Sequence, residues 1–503
     1  IGTYVRATSE SDEEVGDKAS DALRVTARDL RVKVIGEGAN LGVTQKARIE
    51  FGLAGGRCNS DAIDNSAGVN SSDMEVNIKI ALGAAERAGR LTREDRNTLL
   101  ASMTDDVADL VLRNNYLQTL SLSLTQRHGR EDVGYQRRLM TTLESRGLLD
   151  RNVEFLPSEE VIDAREADGK ILARAELAVL LAYAKITLFS DLLETDVPDD
   201  AYLGRELYRY FPKGMHADYG ADIEGHRLRR EIIATQLSNS IINRGGATLI
   251  QRVSDTTGAD VDDIARAFAA VRDSYGLTAL NEEIDALDTK IDGGVQLELY
   301  AAIQELVIDR IGWFLTNTDL SAGLMEIVER YRRGLADFRP TIAQTLLDPV
   351  KTRLAQQRDR FVAGGVPEAL ADTIAHLPVL SLIPDMVQVE DETARTPEEV
   401  AGIYFRVGAE FKLGRIDGLA RDLEVGDYYD ALALDRARQS LAMARRRMTA
   451  AILSTEGGFE AWSAALGSDL TRTIAQVSDI VERGDLTVSR IAVAAGLLAD
   501  LSA

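Results

Sequence analysis

The sequence predicts two regions of different fold class: an α/β remnant over residues 1–130 and a large all-α region over residues 131–503. In the first region, a β-type run at Val32–Ile35 precedes a glycine-rich turn and a helical segment, which is the order of elements in open α/β sheets. From Asp73 onward, apolar residues recur at helical spacing. Beyond residue 130 the alternation typical of strands is scarce, so we expect helices there.

The first seventy residues supply only part of an α/β domain. Ile1–Ala7 is predicted to be the end of a strand, Val32–Ile35 the next strand, and Thr44–Phe51 a helix. A doubly wound sheet needs several strand–helix repeats. We therefore expect the missing strands to lie upstream of Ile1, in a longer polypeptide.

Long helices are predicted from apolar periodicity and capping residues. A helix from Asp73 would have Ser72 as its N-cap. Arg174–Leu193 is apolar enough to be buried, and Tyr429–Leu453 is long and carries the basic triplet Arg445–Arg447. We interpret this triplet as a solvated face paired with acids; an effector or phosphate site is the alternative.

Charge and hydropathy exclude two classes of partner. The 503 residues contain 58 Lys and Arg against 81 Asp and Glu, a formal net charge of −23. Nucleic acids and anionic membranes need a basic surface, so neither is expected as a partner. The most apolar run, Leu177–Ala184, is too short to span a bilayer.

The cysteine and histidine content limits redox and metal chemistry. A single cysteine, Cys58, excludes an internal disulfide and fits a reducing compartment, so a cytoplasmic location is predicted. We interpret Cys58 as a small buried apolar residue rather than a reactive thiol. The four histidines are widely separated, and no metal site is expected.

One stretch has the composition of a binding site. The turn Gly36–Gly42 approaches a dinucleotide-binding fingerprint without matching it, and its Gly38 would let a ligand come close to the backbone. Asn40, Asn65 and Ser72 carry uncharged groups that can bind a ribose, a carboxamide or a carboxylate. The alternative is structural: the asparagines form turns and the serine caps a helix.

These residues resemble a known family. Glu37-Gly38-Ala39-Asn40, followed by Asn65-Ser66-Ala67-Gly68-Val69 and Ser72, is similar to the late part of the nucleotide-binding domain of glutamate dehydrogenases. Arg174–Lys185 and Leu228–Thr235 resemble the large, bacterial, NAD-specific branch. The resemblance covers nearly the whole chain. It implies that residues 1–130 are the end of a Rossmann-like, NAD-binding catalytic domain and that residues 131–503 are a helical C-terminal domain.

The resemblance also implies site roles. Asn40, with Glu37 and Gly38 of the same turn, would lie along NAD near the nicotinamide ribose. Asn65 would contact both the nicotinamide end and the substrate, and Ser72 would bind a carboxylate of glutamate or 2-oxoglutarate. The chain departs from the smaller enzymes of the family at three positions, Ser66, Ala67 and Asp73.

The family's proton-transfer groups, a lysine and an aspartate, have no matching motif here and are expected upstream of Ile1. The implied reaction is oxidative deamination of L-glutamate to 2-oxoglutarate and ammonium by a homo-oligomer, and the 503 residues alone are expected to be inactive. The alternative function is a non-catalytic helical module for regulation or oligomerisation.

Overall fold

The computed structural model describes residues 2–421, 423, 425, 427–483 and 486–502. The chain forms two compact units. Unit 1 comprises residues 1–252 and 260–265, and unit 2 comprises residues 253–259 and 266–503. This division differs from the predicted domain boundary at residue 130, which rests on resemblance and stays a prediction.

Strands are few and short in the described part of unit 1. β1 (Val5–Arg6) pairs in parallel with β2 (Val25–Thr26), with Val5 opposite Val25. Val5 also forms an isolated parallel bridge to Val43. Parallel pairing agrees with an α/β origin, but a sheet of this size does not identify a Rossmann-like fold, so that part of the prediction stays a prediction.

The strand predicted at Val32–Ile35 is wrong. The structure has only an isolated bridge from Val34 to Arg57, with 2.9 Å hydrogen bonds from Ile35 N to Arg57 O and from Arg57 N to Lys33 O. Val32 and Val34 are 55% and 65% exposed. Because these side chains do not pack against a core, the pairing does not extend into a ladder.

Helices make up most of unit 1. They are α1 (Asp12–Val15), α2 (Gln45–Leu53), α3 (Asp61–Asp64), α4 (Ser66–Arg87), α5 (Arg93–Ser102), α6 (Thr104–His128), α7 (Val133–Ser145), α8 (Glu159–Ala167), α9 (Arg174–Leu193), α10 (Arg205–Tyr210), α11 (His216–Glu224) and α12 (Arg229–Gly245). The side chain of Thr44 caps α2 by accepting a hydrogen bond from Ala47 N, which confirms the helix predicted there.

The start predicted for α4 is wrong by one and a half to two turns. The helix begins at Ser66 and not at Asp73, so Ser72 lies inside it and is not its N-cap. Small polar residues cost little in a helix, and Asn115 of α6 holds the first turn by donating hydrogen bonds to Ile63 O (2.8 Å) and Ser66 Oγ (2.9 Å).

The core of unit 1 is built around α9. The helix spans Arg174–Leu193 as predicted and packs against α2, α6 and α12. Leu177, Leu181 and Leu188 of α9 and Ile233 of α12 are almost fully buried. Burial of such side chains contributes roughly 1.5–3 kcal/mol each, so α9 anchors the unit.

Unit 2 is helical throughout its described part. Two helices are divided between the units, α13 (Leu249–Thr257) and α14 (Val261–Ser274). The others are α15 (Leu277–Asp285), α16 (Gly293–Asn317), α17 (Leu324–Thr345), α18 (Asp348–Ala363), α19 (Glu368–Leu380), α20 (Ile383–Thr393), α21 (Pro397–Glu410), α22 (Leu413–Arg421), α23 (Tyr428–Ser454), α24 (Gly458–Leu466), α25 (Ser468–Glu482) and α26 (Val488–Leu501). The large helical region is thus confirmed.

A buried carboxylate joins four helices of unit 2. Asp385 of α20 is 1% exposed and accepts hydrogen bonds from Trp313 Nε1 of α16 (2.8 Å), Tyr404 OH of α21 (2.9 Å) and Arg446 of α23 (3.3 Å). Arg445 is also buried and stacks on the ring of Tyr404 at 3.8 Å. The prediction that the basic triplet is a solvated face is therefore wrong for Arg445 and Arg446.

Among the described residues, no single helix has the length and apolar composition needed to cross a membrane. One bent pair, α19 with α20, meets that criterion jointly, with 54° between its two helices.

Candidate functional site

The turn after Ile35 is closed by the side chain of Glu37. Its carboxylate accepts hydrogen bonds from Gly42 N, at the other end of the turn, and from Arg48 of α2 at 2.5 Å. The Arg48 side chain is 5% exposed and lies 3.5 Å from Asp61 as well. Two carboxylates thus surround one buried guanidinium, which fixes the turn against α2 and α3.

Asn40 lies inside this turn with an unused acceptor. Its backbone is left-handed, with φ of 62°, a conformation that asparagine tolerates better than most residues. Its Oδ1 atom is buried and has no hydrogen-bond partner. A buried amide oxygen without a partner costs about 1–3 kcal/mol, so a donor from a bound ligand would remove that cost.

The glycines of the turn leave room for a ligand. A Cβ atom built on Gly36 or Gly38 would meet no other atom within 4 Å. The backbone is therefore open on this side, which is what close approach of a dinucleotide requires. With the free Oδ1 of Asn40, these features fit a ribose-bearing cofactor.

Asn65 lies at the junction of α3 and α4. Its side chain makes no capping hydrogen bond and instead covers Gly68, where an added Cβ would come within 2.6 Å of Asn65 Oδ1. Glycine at position 68 is therefore needed for this arrangement. The side-chain amide lies at the start of α4, where Gly68 N donates to Asn65 O at 3.0 Å.

Ser72 is exposed and lies on the same face of α4 as Asn65. Seven residues correspond to almost two turns, so positions 65 and 72 lie on one side of α4, about 10 Å apart along its axis. Val69 and Val76, 66% and 52% exposed, lie on this face too. We name these four residues the α4 face. The α4 face thus combines amide, hydroxyl and apolar groups, which are the kinds of group that contact small ligands.

The turn and the start of α4 are joined directly. Glu37 N donates to Asp64 Oδ2 at 2.8 Å, and Leu41 N donates to Asp61 Oδ2 at 3.1 Å. Asp64 is the residue before Asn65, so these two hydrogen bonds hold the turn with Glu37, Gly38 and Asn40 beside the α3–α4 junction. Ser72 lies almost two turns further along α4.

Sequence reasoning missed several residues that hold this site. Arg174, at the start of α9, donates to Asn59 Oδ1 (2.5 Å), and Asn59 Nδ2 donates to Asp64 Oδ1 (2.6 Å). Burial lowers the pKa of Arg174 to about 10, so its guanidinium stays charged at neutral pH. One sequence signal was present: Asn115, Thr119, Ser123 and Gln126 form a polar stripe at helical spacing on α6.

Cys58 behaves as a buried apolar residue, as predicted. It is 5% exposed, and burial raises the pKa of its thiol to about 11. At physiological pH the group is a thiol and not the nucleophilic thiolate. The described residues also contain no group of three or more His, Cys, Asp or Glu side chains arranged to hold a metal ion.

Comparison with known families identifies the chain. Residues 169–500, well over half of it, match the model of the glutamate dehydrogenase C-terminal family, and residues 1–125 match the catalytic domain of bacterial NAD-glutamate dehydrogenase. The chain belongs to the large NAD-specific glutamate dehydrogenase family. The resemblance inferred from the glycine turn and the later helical segments is thereby confirmed.

Three relatives named NAD-specific glutamate dehydrogenase show the extent of the likeness. Those of Halomonas elongata and Pseudomonas aeruginosa are 40% and 41% identical over 91% and 93% of this chain. That of Mycobacterium tuberculosis is 33% identical over 98% of it. The aligned regions cover 28%, 29% and 31% of these relatives, so the chain spans less than a third of their length.

The candidate site residues and Arg174, which contacts them through Asn59, fall in different family matches. The turn, Asn65 and the α4 face lie within the glutamate dehydrogenase catalytic-domain match, residues 1–125. Arg174 lies within the C-terminal match, residues 169–500. Both belong to unit 1 of the structure, so a compact unit contains parts of both matched regions.

Proposed function

We propose that this chain is part of an NAD-dependent glutamate dehydrogenase that converts L-glutamate, water and NAD⁺ into 2-oxoglutarate, ammonium, NADH and a proton. The observation that carries this proposal is the match of residues 1–125 to the catalytic domain of bacterial NAD-glutamate dehydrogenase. That range contains the turn, Asn65 and Ser72. The names of the three relatives agree with NAD as the cofactor.

In this proposal the turn forms the cofactor-facing wall of a Rossmann-like domain. Asn40 accepts a hydrogen bond from a hydroxyl of the nicotinamide ribose through its free Oδ1. The backbone of Glu37 and Gly38 lies along the cofactor, while the Glu37 carboxylate, engaged by Arg48 and Gly42, keeps the turn closed. The parallel pairing of β1 with β2 supports the Rossmann-like assignment.

The α4 face binds the substrate end. The Asn65 amide contacts the nicotinamide end of the cofactor and the substrate, and the Ser72 hydroxyl donates to a substrate carboxylate. Their spacing of about 10 Å along α4 lets one helix contact both partners of the hydride transfer. NAD, when bound, accepts the hydride; the residues of this chain position the two molecules and exclude alternative poses.

The proton-transfer groups come from outside these residues. The family resemblance assigns them to a lysine and an aspartate, and no matching motif occurs in the sequence. We therefore propose that residues 1–503 alone do not complete the reaction. We further propose that residues 1–130 serve the catalytic domain, that residues 131–503 form a helical domain, and that the enzyme is a homo-oligomer.

The test is glutamate oxidation by the native polypeptide that contains this chain. L-Glutamate with NAD should give NADH absorbance at a rate that D-glutamate or NADP does not reproduce. The purified 503 residues should give none. Failure of the native protein to form NADH from L-glutamate would contradict the proposal, and turnover by the 503 residues would contradict its last part.

A further inference from the structure

The guanidinium of Arg174 donates hydrogen bonds to four polar partners in unit 1. Nε donates to Asn59 Oδ1 at 2.5 Å, NH1 donates to Ser123 Oγ at 3.1 Å and Gln126 Oε1 at 2.9 Å, and NH2 donates to Thr119 O at 2.8 Å. Three of these partners belong to α6 and one to the loop before α3. Because the guanidinium is planar and forks to two elements, it fixes their relative position.

The contact with Asn59 continues to the candidate site through two further hydrogen bonds. With its Oδ1 facing Arg174, Asn59 must present Nδ2 to Asp64, where it donates to Oδ1 at 2.6 Å. The other oxygen of Asp64 accepts from Glu37 N at 2.8 Å. If the Asn59 amide were flipped, its NH2 group would face the Arg174 N–H group, and two donors would oppose each other. The donor-to-acceptor direction of this hydrogen-bond series is therefore determined.

The last two residues of this hydrogen-bond series are Asp64, which adjoins the proposed binding residue Asn65, and Glu37, which is itself a proposed binding residue. Asp64 is the last residue of α3 and precedes Asn65. Glu37 begins the turn that carries Asn40, and its own carboxylate closes that turn. One guanidinium on α9 is thus connected by hydrogen bonds to the turn that carries Asn40 and to the α3–α4 junction that carries Asn65.

We propose that Arg174, acting through Asn59 and Asp64, is a positioning residue for the cofactor-binding turn and the α3–α4 junction. The inference rests on the proposed function of that site. It assigns a role in cofactor binding to the start of the helical region, because Arg174 lies in the C-terminal family match and its target lies in the catalytic-domain match. Arg174 touches neither cofactor nor substrate.

The test replaces Arg174→Gln and Asn59→Ala, singly and together, in the native enzyme. We expect the KM for NAD to rise about 10- to 100-fold in each variant, since small displacements of binding groups have effects of this size. The double variant should be no worse than the more severe single variant, because both break the same chain. Equilibrium binding of NADH, followed by its fluorescence, should weaken in parallel.

Arg90→Gln is the matched control. Arg90 makes a two-point ion pair with Asp222, at 2.8 Å and 2.6 Å, in another part of unit 1. The Arg90→Gln substitution should lower the melting temperature of the enzyme without changing its KM for NAD. If Arg174→Gln changes only the melting temperature, as Arg90→Gln does, the positioning role is wrong while the proposed function stands. If the wild-type enzyme does not bind NADH, the proposed function itself fails.

Discussion

At the residue level, the polar groups that we assign to ligand binding are ones that do not hold the described fold together. Asn40 Oδ1 is buried and unpartnered, and Ser72 is exposed inside a helix that it does not cap. The described structure shows neither side chain in a hydrogen bond that stabilises the fold. Replacing either group should therefore weaken ligand binding while leaving the stability of the protein nearly unchanged.

Asn40→Gly is the sharpest substitution in the turn. Glycine adopts the left-handed conformation of this position without strain, so only the amide is lost. The KM for NAD should rise about 10-fold, corresponding to one hydrogen bond of ~1.4 kcal/mol, while the melting temperature changes little. Leu41→Gly is the control, since Leu41 has the same φ of 62°. Equal effects of both variants on the KM would show that backbone flexibility and not the amide is responsible.

Ser72→Ala should raise the KM for glutamate about 10-fold or more and leave the KM for NAD unchanged. A hydrogen bond to a charged group is worth ~1.5–3 kcal/mol, and the serine is too exposed to matter for folding. Ser71→Ala is the control, because the Ser71 hydroxyl bonds to Gly68 O of its own helix. Unchanged steady-state kinetics in Ser72→Ala would exclude the carboxylate contact.

Lys185 of α9 makes stability depend on pH. Its Nζ is buried without a partner, and burial lowers its pKa to about 7 from the ordinary 10.5. Between these values this lysine binds more protons in the unfolded chain than in the folded one, so its contribution to the free energy of unfolding rises with pH over that window. Lys185→Met should stabilise the protein by a few kcal/mol below pH 7, and the gain should vanish near pH 10.5. Denaturant unfolding across pH 6–10 measures this; a gain independent of pH would exclude the charge as its cause.

At the scale of elements, the helices combine apolar packing with a few buried polar contacts. In unit 2, α16, α20, α21 and α23 meet at the Asp385 carboxylate. Removing this carboxylate leaves buried donors of Trp313, Tyr404 and Arg446 without their acceptor. The cost in folding free energy is larger than the contribution of a surface ion pair.

Asp385→Ala should therefore lower the free energy of unfolding by ~3–5 kcal/mol. Asp391→Ala on the same helix is the control, since Asp391 pairs with Arg330 at the surface and its loss should cost no more than ~1 kcal/mol. Chemical denaturation measures both. Similar losses in the two variants would mean that the buried network contributes no more than a surface pair.

Local patterns predict elements better than they predict contacts between distant residues. The capping threonine at position 44 and the apolar periodicity of Arg174–Leu193 gave helices that the structure has. The start of α4 was mispredicted because Ser66–Ser72 has a loop-like composition and is held as helix by Asn115, about fifty residues away. Local composition carries no information about such a partner.

The same limit explains what was missed at the site. Asn40, Asn65 and Ser72 are predicted from residue type, spacing and resemblance, all of which are local, and their roles stay predictions. Arg174 was placed in a buried helix, but its partners Asn59, Thr119 and Gln126 lie about 50 to 115 residues away. Arg445 was mispredicted as solvated for a similar reason, because its burial depends on packing against Tyr404.

At the scale of the whole molecule, the first unit does not end where the catalytic-domain match ends. Residues 1–125 share unit 1 with α9 and α12, and Gln45 of α2 donates to Ala175 O at 3.2 Å. A fragment of residues 1–265 should unfold cooperatively, whereas residues 1–130 should not, since α9 is their main apolar support. Thermal unfolding by circular dichroism compares them, and a cooperative transition in the shorter fragment would contradict this expectation.

The most direct measurement is hydrogen–deuterium exchange of the native enzyme with and without NAD. We expect slower exchange in residues 36–42 and in the first two turns of α4 when NAD is bound. At an NAD concentration near the wild-type KM, this protection should be clearly weaker in the Asn40→Gly variant, whose KM is expected to be about 10-fold higher. Protection that occurs elsewhere but leaves both segments unchanged would show that residues 36–42 and the start of α4 do not contact the cofactor.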